Sequence, residues 1–230
     1  MVDLSKFSGS AYSTHGMIEK TYDIAMSCIK EKIEGSFVEC GVAAGAQVGV
    51  MAYVCKEHND QREIHLYDSF EGIPLAGPKD TQQPGIGPIS HDVNVGEREL
   101  LKSSGITVHG MDQVKSNMAR WGVQGMNLIY HQGWFQDTLP QNNIDKIAIL
   151  RLDGDLYESN KVCLEYLGHK VVKGGYIIID DYALTGAQIA VHEYIEERKL
   201  DVDLVKIYEG VPEGKSGDQN QVVPVYWRVK

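Results

Sequence analysis

Short apolar runs rich in β-branched residues alternate along this chain with stretches of helical period, and this alternation constrains the fold more than any other feature. SFVEC (36–40), EIHLYD (63–68), MNLIYHQ (126–132), KIAILRLD (146–153) and GGYIIIDD (174–181) have the length and composition of buried strands. Residues 14–34 place Ile18, Tyr22, Ala25, Met26, Ile29 and Ile33 on one helical face, and Gly35 is expected to end that helix. Residues 46–58 carry Val48, Met51, Ala52 and Cys55 on one side of a second helix. Further helices are expected around 95–104 and 110–121, and at 158–172 with Val162, Cys163, Tyr166, Leu167 and Val171 inward. Another at 183–199 turns Ala187, Ala190, Val191, Tyr194 and Ile195 inward and Glu193, Glu196, Glu197 and Lys199 outward. LVKIYE and VVPVYWRVK flank a turn-rich loop and should pair as a hairpin. Strand, helix, strand in this order gives parallel strands with right-handed crossovers. The expectation is therefore one α/β domain over 1–230: a doubly wound, mostly parallel sheet with an antiparallel C-terminal edge hairpin, preceded by a helical segment over 1–34.

Charge and composition narrow the partners. Thirty-two acidic against 22 basic side chains give a net charge of −10, which repels phosphate backbones and disfavours nucleic acid. No apolar run has membrane-spanning length, and MVDLSKFSGS lacks the layout of a signal peptide. Cys28, Cys40, Cys55 and Cys163 lie singly in apolar stretches and form no C-x-x-C pair, as expected of reduced core thiols in a cytoplasmic protein. Residues 69–94 are rich in proline and glycine and show no period. They read as a functional lid loop or a disordered insertion.

In an open α/β sheet, ligands bind beyond the carboxyl ends of the strands. The first strand ends in Glu39-Cys40-Gly41-Val42-Ala43-Ala44-Gly45. This is either a glycine turn that admits a ligand to a helix N-terminus or a tight structural turn. It is not G-x-G-x-x-G, and no phosphate-cradling G-x-x-x-x-G-K-[ST] is present. Asp68 ends the second strand, where a carboxylate commonly accepts from ribose hydroxyls, so an adenosine-type ligand is indicated. Trp134-Phe135 after the third strand could stack on a base or pack in the core. The fourth strand ends in Asp153-Gly154-Asp155 and the fifth in Asp180-Asp181. Four carboxylates at neighbouring strand ends call for a positive partner. An oxygen-loving divalent cation, Mg²⁺ above all, is one reading, and helix-capping aspartates are the other.

FVECGVAAG (37–45), YDSFEGIP (67–74), GWFQDTLP (133–140), LRLDGDLYES (150–159) and GGYIIIDDY (174–182) together resemble the TylF (macrocin) O-methyltransferase family. The resemblance implies a Rossmann-like class I methyltransferase fold and an enzyme dependent on S-adenosylmethionine and Mg²⁺. Its expected acceptor is a hydroxyl of a small natural product, most often a (deoxy)sugar. It implies Glu39, Gly41 and Val42 near the amino-acid end of the cofactor, and Asp68 and Ser69 at the ribose. Gln132, Gly133 and Trp134 would lie on the adenine side. Asp153, also beside the cofactor, would join Asp180 and Asp181 as metal ligands, with Asp155 as general base. His91 in the lid and Tyr182 are candidate substrate contacts, and assembly into a homo-oligomer is compatible. Two other readings compete. LDGDLYES looks superficially like a haloacid dehalogenase-type phosphatase signature, although that signature opens its chain and here it follows the fourth strand. A non-catalytic S-adenosylmethionine-binding module is the second.

Overall fold

The computed structural model describes residues 3–8, 14–80, 97–207 and 224–230. His91 and the rest of 81–96 lie outside the described residues, as does the loop of the expected hairpin. In chain order the elements are α1 (Ser5–Ser8), α2 (His15–Lys30), β1 (Ser36–Cys40), α3 (Ala46–Glu57), β2 (Ile64–Asp68), α4 (Glu97–Leu100), α5 (Met111–Arg120) and β3 (Leu128–Gln132). They continue with α6 (Phe135–Thr138), β4 (Ile147–Leu152), α7 (Tyr157–Leu167), β5 (Val171–Ile179), α8 (Thr185–Glu197), β6 (Val205–Lys206) and β7 (Val225–Arg228). The sheet runs β3-β2-β1-β4-β5-β7-β6. The first five strands are parallel to their neighbours, and β7 is antiparallel to both β5 and β6. The doubly wound sheet with an antiparallel edge is thus the observed architecture, and the order reverses at β1/β4, where such folds open a crevice.

Two cores sandwich the sheet. Alternation along β1 sends Phe37 to one face and Val38 and Cys40 to the other. The first core packs α1, α2, α3 and α5 against Phe37, Ile64, Leu66 and Ile149; the second packs α7 and α8 against Leu150, Leu152, Ile177, Ile179 and Trp227. Side chains of this kind contribute roughly 1.5–3 kcal/mol each on full burial. All four cysteines are buried free thiols. Among the described residues no helix is long and apolar enough to cross a membrane.

The ends of several elements differ from the sequence reading. The α2 helix stops at Lys30, not at Gly35, because Lys32 takes the left-handed position after it. Ile33 N–H then reaches Cys28 O and Lys32 N–H reaches Ile29 O, which closes the helix while Ile33 is buried. The helix expected over 95–104 shrinks to α4, four residues. Beyond it the chain instead bonds to the segment after β2, with Ser104 N–H on Ile73 O, Ile73 N–H on Ile106 O and Leu75 N–H on Leu100 O. Helix α7 ends at Leu167, and Val171, expected on its inner face, opens β5. The β-branched pair Val171-Val172 prefers the pleated surface to a fourth helical turn. Tyr166, also expected inward, is 37% exposed.

Candidate active site

A cavity of about 420 Å³ opens beyond the carboxyl ends of the parallel strands. Its wall includes Glu39, Gly41, Val42 and Ala43 after β1, and Ala46 and Gln47 at the start of α3. Asp68 and Ser69 follow β2, Trp134 and Phe135 follow β3, and Asp153, Asp155, Asp180 and Asp181 follow β4 and β5. Among the residues singled out from sequence, Gln132, Gly133 and Tyr182 are not part of this wall. Gln132 is exposed at the end of the edge strand. The Tyr182 hydroxyl meets His192 Nε2 at 2.9 Å.

The turn after β1 is built by close approach. Gly41 has φ +87°, and a Cβ there would sit 1.8 Å from Asp153 O. Asp153 N–H in turn donates to Cys40 O at 2.8 Å, so the ends of β1 and β4 touch backbone to backbone. Asp68 fastens the same turn from the other side. Its Oδ2 accepts from Val42 N–H at 2.7 Å and Ala43 N–H at 3.2 Å, and its Oδ1 accepts from Phe70 N–H at 2.7 Å. Burial raises the Asp68 carboxyl above its ordinary value, against the pull of these three amides. Oδ1, which accepts one bond, still has lone-pair capacity for a ligand hydroxyl.

The acidic rim is divided in two. Oxygen atoms of Asp153, Asp155 and Asp181 lie within 4.8 Å of one another. Burial and the mutual repulsion of these groups push the carboxyls of Asp155 and Asp181 well above the usual range. Asp155 has φ +56°, and its N–H donates to Asp181 Oδ2 at 2.9 Å, which ties the two strand ends together. Asp180 is held elsewhere, at 2.8 Å from Arg151 Nη2. Three oxygens at this spacing suit a hard cation such as Mg²⁺; Asp180, expected among the ligands, lies outside this group, and Arg151 stands 2.8 Å from both it and Asp153.

Arg151 is the residue that the sequence reading missed. It lies opposite Glu39 in the β1/β4 register, with its side chain 0% exposed. It reaches Glu39 Oε1 at 2.5 Å, Asp153 Oδ2 at 2.8 Å and Asp180 Oδ1 at 2.8 Å. Glu39 is 1% exposed, and burial pushes its carboxyl up while Arg151 opposes that shift. The rim therefore carries its own cation beneath the open cluster. The signal in the sequence was one charged residue inside the apolar run IAILRLD.

Asp80 is a second missed residue. Buried at 1% exposure, it accepts from Tyr157 N–H and Gly77 N–H, each at 2.9 Å. It thereby caps α7 and pins the segment after β2 to the body. Only glycine fits at 186, since a Cβ there would lie 1.8 Å from Asp80 Oδ1. Beside it, Lys79 donates to Glu193 at 2.7 Å and the Tyr157 hydroxyl donates to the same carboxylate at 2.6 Å. Glu193, expected to face only solvent, thus helps clasp this segment to α7 and α8.

Comparison with known proteins agrees with the fold. The family model described as macrocin-O-methyltransferase (TylF) matches residues 10–211. An 8-demethyl-8-(2,3-dimethoxy-alpha-L-rhamnosyl)-tetracenomycin-C 4'-O-methyltransferase of Streptomyces olivaceus is 36% identical over 76% of this chain, which spans 65% of that relative's length. Demethyldecarbamoylnovobiocin O-methyltransferase of Streptomyces niveus is 30% identical over 85% of this chain and 73% of its own. Mycinamicin III 3''-O-methyltransferase of Micromonospora griseorubida is 28% identical over 90% of this chain and 81% of its own. Among solved structures, the O-methyltransferase NovP superposes with a TM-score of 0.74 at 29% identity, covering 93% of this chain and 79% of that one. The calicheamicin methyltransferase CalS11, at 17% identity and a TM-score of 0.63, covers 98% of this chain and 89% of that one and shares the fold. These matches leave the phosphatase reading without support. The chain belongs to the macrocin O-methyltransferase (TylF) family.

Proposed function

We propose that this chain transfers the methyl group of S-adenosylmethionine to a hydroxyl of a sugar carried by a small natural product, with Mg²⁺ at the acidic rim. The observation that carries the reading is the juxtaposition, in one cavity, of the Gly41–Gly45 turn with the Asp153, Asp155 and Asp181 oxygens. The activities of the relatives, all O-methyltransferases and two of them acting at primed, sugar-type positions, support the acceptor class.

The residues fit both groups. A wall of carboxylates suits a ligand whose sulfonium and ammonium outweigh its carboxylate, and the Asp153, Asp155 and Asp181 oxygens form a hard, anionic donor set. When bound, the sulfonium supplies an electrophilic methyl group and the cation acts as a Lewis acid on the acceptor oxygen. Asp68 and Ser69 are assigned to the ribose hydroxyls and Trp134 to the face of the base. Asp153 and Asp181 are assigned to the cation, with Asp180 supporting them through Arg151. Asp155 is assigned the proton of the acceptor hydroxyl, two residues from Asp153 and tied by its N–H to Asp181. Holding that hydroxyl in line with the methyl group accounts for much of the remaining rate.

The test is methyl transfer from labelled S-adenosylmethionine to rhamnosylated acceptors, with Mg²⁺ or with EDTA. Activity should require the metal, and undiminished transfer in EDTA would remove the cation from the reading. Asp155→Asn should lower kcat by about 10²–10⁴-fold with little change in Mn²⁺ affinity measured by calorimetry. Loss of Mn²⁺ binding in that variant would make Asp155 a ligand and not the base. Asp181→Asn should weaken Mn²⁺ binding at least about tenfold.

A further inference from the structure

We propose that Asp80 is a positioning residue for the transfer: seated on the starts of α7 and α8, it fixes Asp155 relative to Asp181, so the rim is set only while segment 70–80 is docked. The proposal rests on the reaction assigned above. Helix α7 has 11 residues and begins two residues after Asp155; α8 has 13 and begins four residues after Asp181. Each follows a leucine, Leu156 or Leu184, whose side chain makes no capping bond. The orphan N–H groups of such a helix start need an acceptor from elsewhere.

Asp80 brings that acceptor from 77 residues away in the chain. It is 1% exposed, and its Oδ1 accepts from the N–H of Tyr157, the first residue of α7. The same oxygen lies against the first turn of α8, since a Cβ at Gly186 would sit 1.8 Å from it and 2.8 Å from Tyr157 N. One carboxylate thus bears on the positive ends of two helices. Its Oδ2 accepts from Gly77 N–H and ties it into its own segment. A second set of contacts joins the same three elements: the Tyr157 hydroxyl donates to Glu193 of α8 at 2.6 Å, and Lys79 Nζ lies 3.9 Å over the Tyr157 ring. Between these helix starts and the cavity stand the two acidic turns, joined by Asp155 N–H on Asp181 Oδ2. Leu184 N–H returns to Asp181 O at 2.8 Å, so a shift at the start of α8 carries to Asp181. Small displacements of this kind cost rate when they move groups that hold or deprotonate the acceptor.

Asp80→Ala, Asp80→Asn and Ile147→Ala test this against the wild type, by calorimetry with Mn²⁺ and with S-adenosylmethionine and by transfer to a rhamnosylated acceptor. Ile147 is 0% exposed, opens β4 at the end away from the cavity and is not part of its wall. Its truncation therefore destabilises the fold at least as much as Asp80→Ala without touching the junction. Asp80→Ala should weaken Mn²⁺ about tenfold and lower kcat about tenfold or more, while the Kd and KM of S-adenosylmethionine stay within about twofold. Asp80→Asn keeps an oxygen for Tyr157 N–H and should hold Mn²⁺ affinity and kcat within about threefold of the wild type. Ile147→Ala should hold both within about twofold. Unchanged Mn²⁺ affinity in Asp80→Ala, or an equal fall in Ile147→Ala, overturns the proposal, as does a loss of S-adenosylmethionine affinity as large as the loss of kcat. Should the wild type transfer no methyl group, the reaction reading fails separately, and the Mn²⁺ comparison alone decides whether Asp80 sets the rim.

Discussion

Replacing Arg151 with methionine isolates the cation built into the rim. The substitution keeps much of the side-chain volume and removes a guanidinium within 2.8 Å of Glu39, Asp153 and Asp180. Asp153 and Asp180 retain 24% and 19% side-chain exposure and can be solvated in part, whereas Glu39 has 1%. Leaving one buried charge uncompensated costs about 3–5 kcal/mol. Protonation caps that cost. Holding one carboxyl of ordinary pKa near 4.3 in its neutral form at pH 7 costs about 4 kcal/mol, at about 1.4 kcal/mol per pH unit. The variant should therefore lose at most about 3–4 kcal/mol at pH 7, an upper bound because burial already pushes the wild-type Glu39 carboxyl up to about 8, and the loss should grow as pH rises. The sign follows from proton counting: folded Arg151→Met keeps a proton that the unfolded chain releases near its ordinary pKa, so stability falls as pH rises through that window. Urea unfolding at pH 5, 6, 7 and 8, followed by tryptophan fluorescence, measures this directly. Glu39→Gln combined with Arg151→Met should recover more than half of the loss at pH 7, because the trapped charge is gone. A loss below about 1 kcal/mol with no pH slope would show that Arg151 does not neutralise the rim.

The remaining predictions concern how the cavity is held. Gly41→Ala places a Cβ against Asp153 O at a backbone angle of φ +87° and should cost more than about 2 kcal/mol in denaturant unfolding; a change within about 0.5 kcal/mol would contradict the close contact. Asp80→Ala removes the acceptor for Tyr157 N–H and Gly77 N–H. It should cost about 2 kcal/mol and speed proteolytic cleavage within 70–80, and unchanged cleavage would mean that Asp80 does not pin the segment.

Local pattern made the parallel sheet and its acidic end legible before any coordinates. Each parallel strand is long enough to show its run, and three of the five end in or are followed at once by an aspartate: Asp68, Asp153 and Asp180. What local pattern cannot carry is a partner distant in sequence. Arg151 interrupts an apolar strand for a reason visible only when Glu39 stands across from it and Asp180 beside it. Asp80 sits in an unpatterned stretch and becomes informative only when it is seen at the starts of α7 and α8. A helix is expected over 95–104, but the backbone at Leu100, Ser104 and Ile106 bonds to Ile73 and Leu75, partners too distant in sequence for local pattern to reveal. Tyr182, a candidate substrate contact, lies outside the cavity wall with its hydroxyl 2.9 Å from His192 Nε2, a pairing across ten residues that no local motif announces.

The left-handed backbone at Asp155 bears on how such enzymes drift. A non-glycine residue at φ +56° gives up about 1 kcal/mol that glycine would not. A lineage released from proton transfer would gain stability by exchanging it, with glycine or asparagine as the nearest exits. On the role proposed for Asp155, position 155 becomes a gauge of lost chemistry: relatives that keep the Gly41 turn and the Arg151 ion pairs but carry glycine at 155 should bind the cofactor without transferring its methyl group.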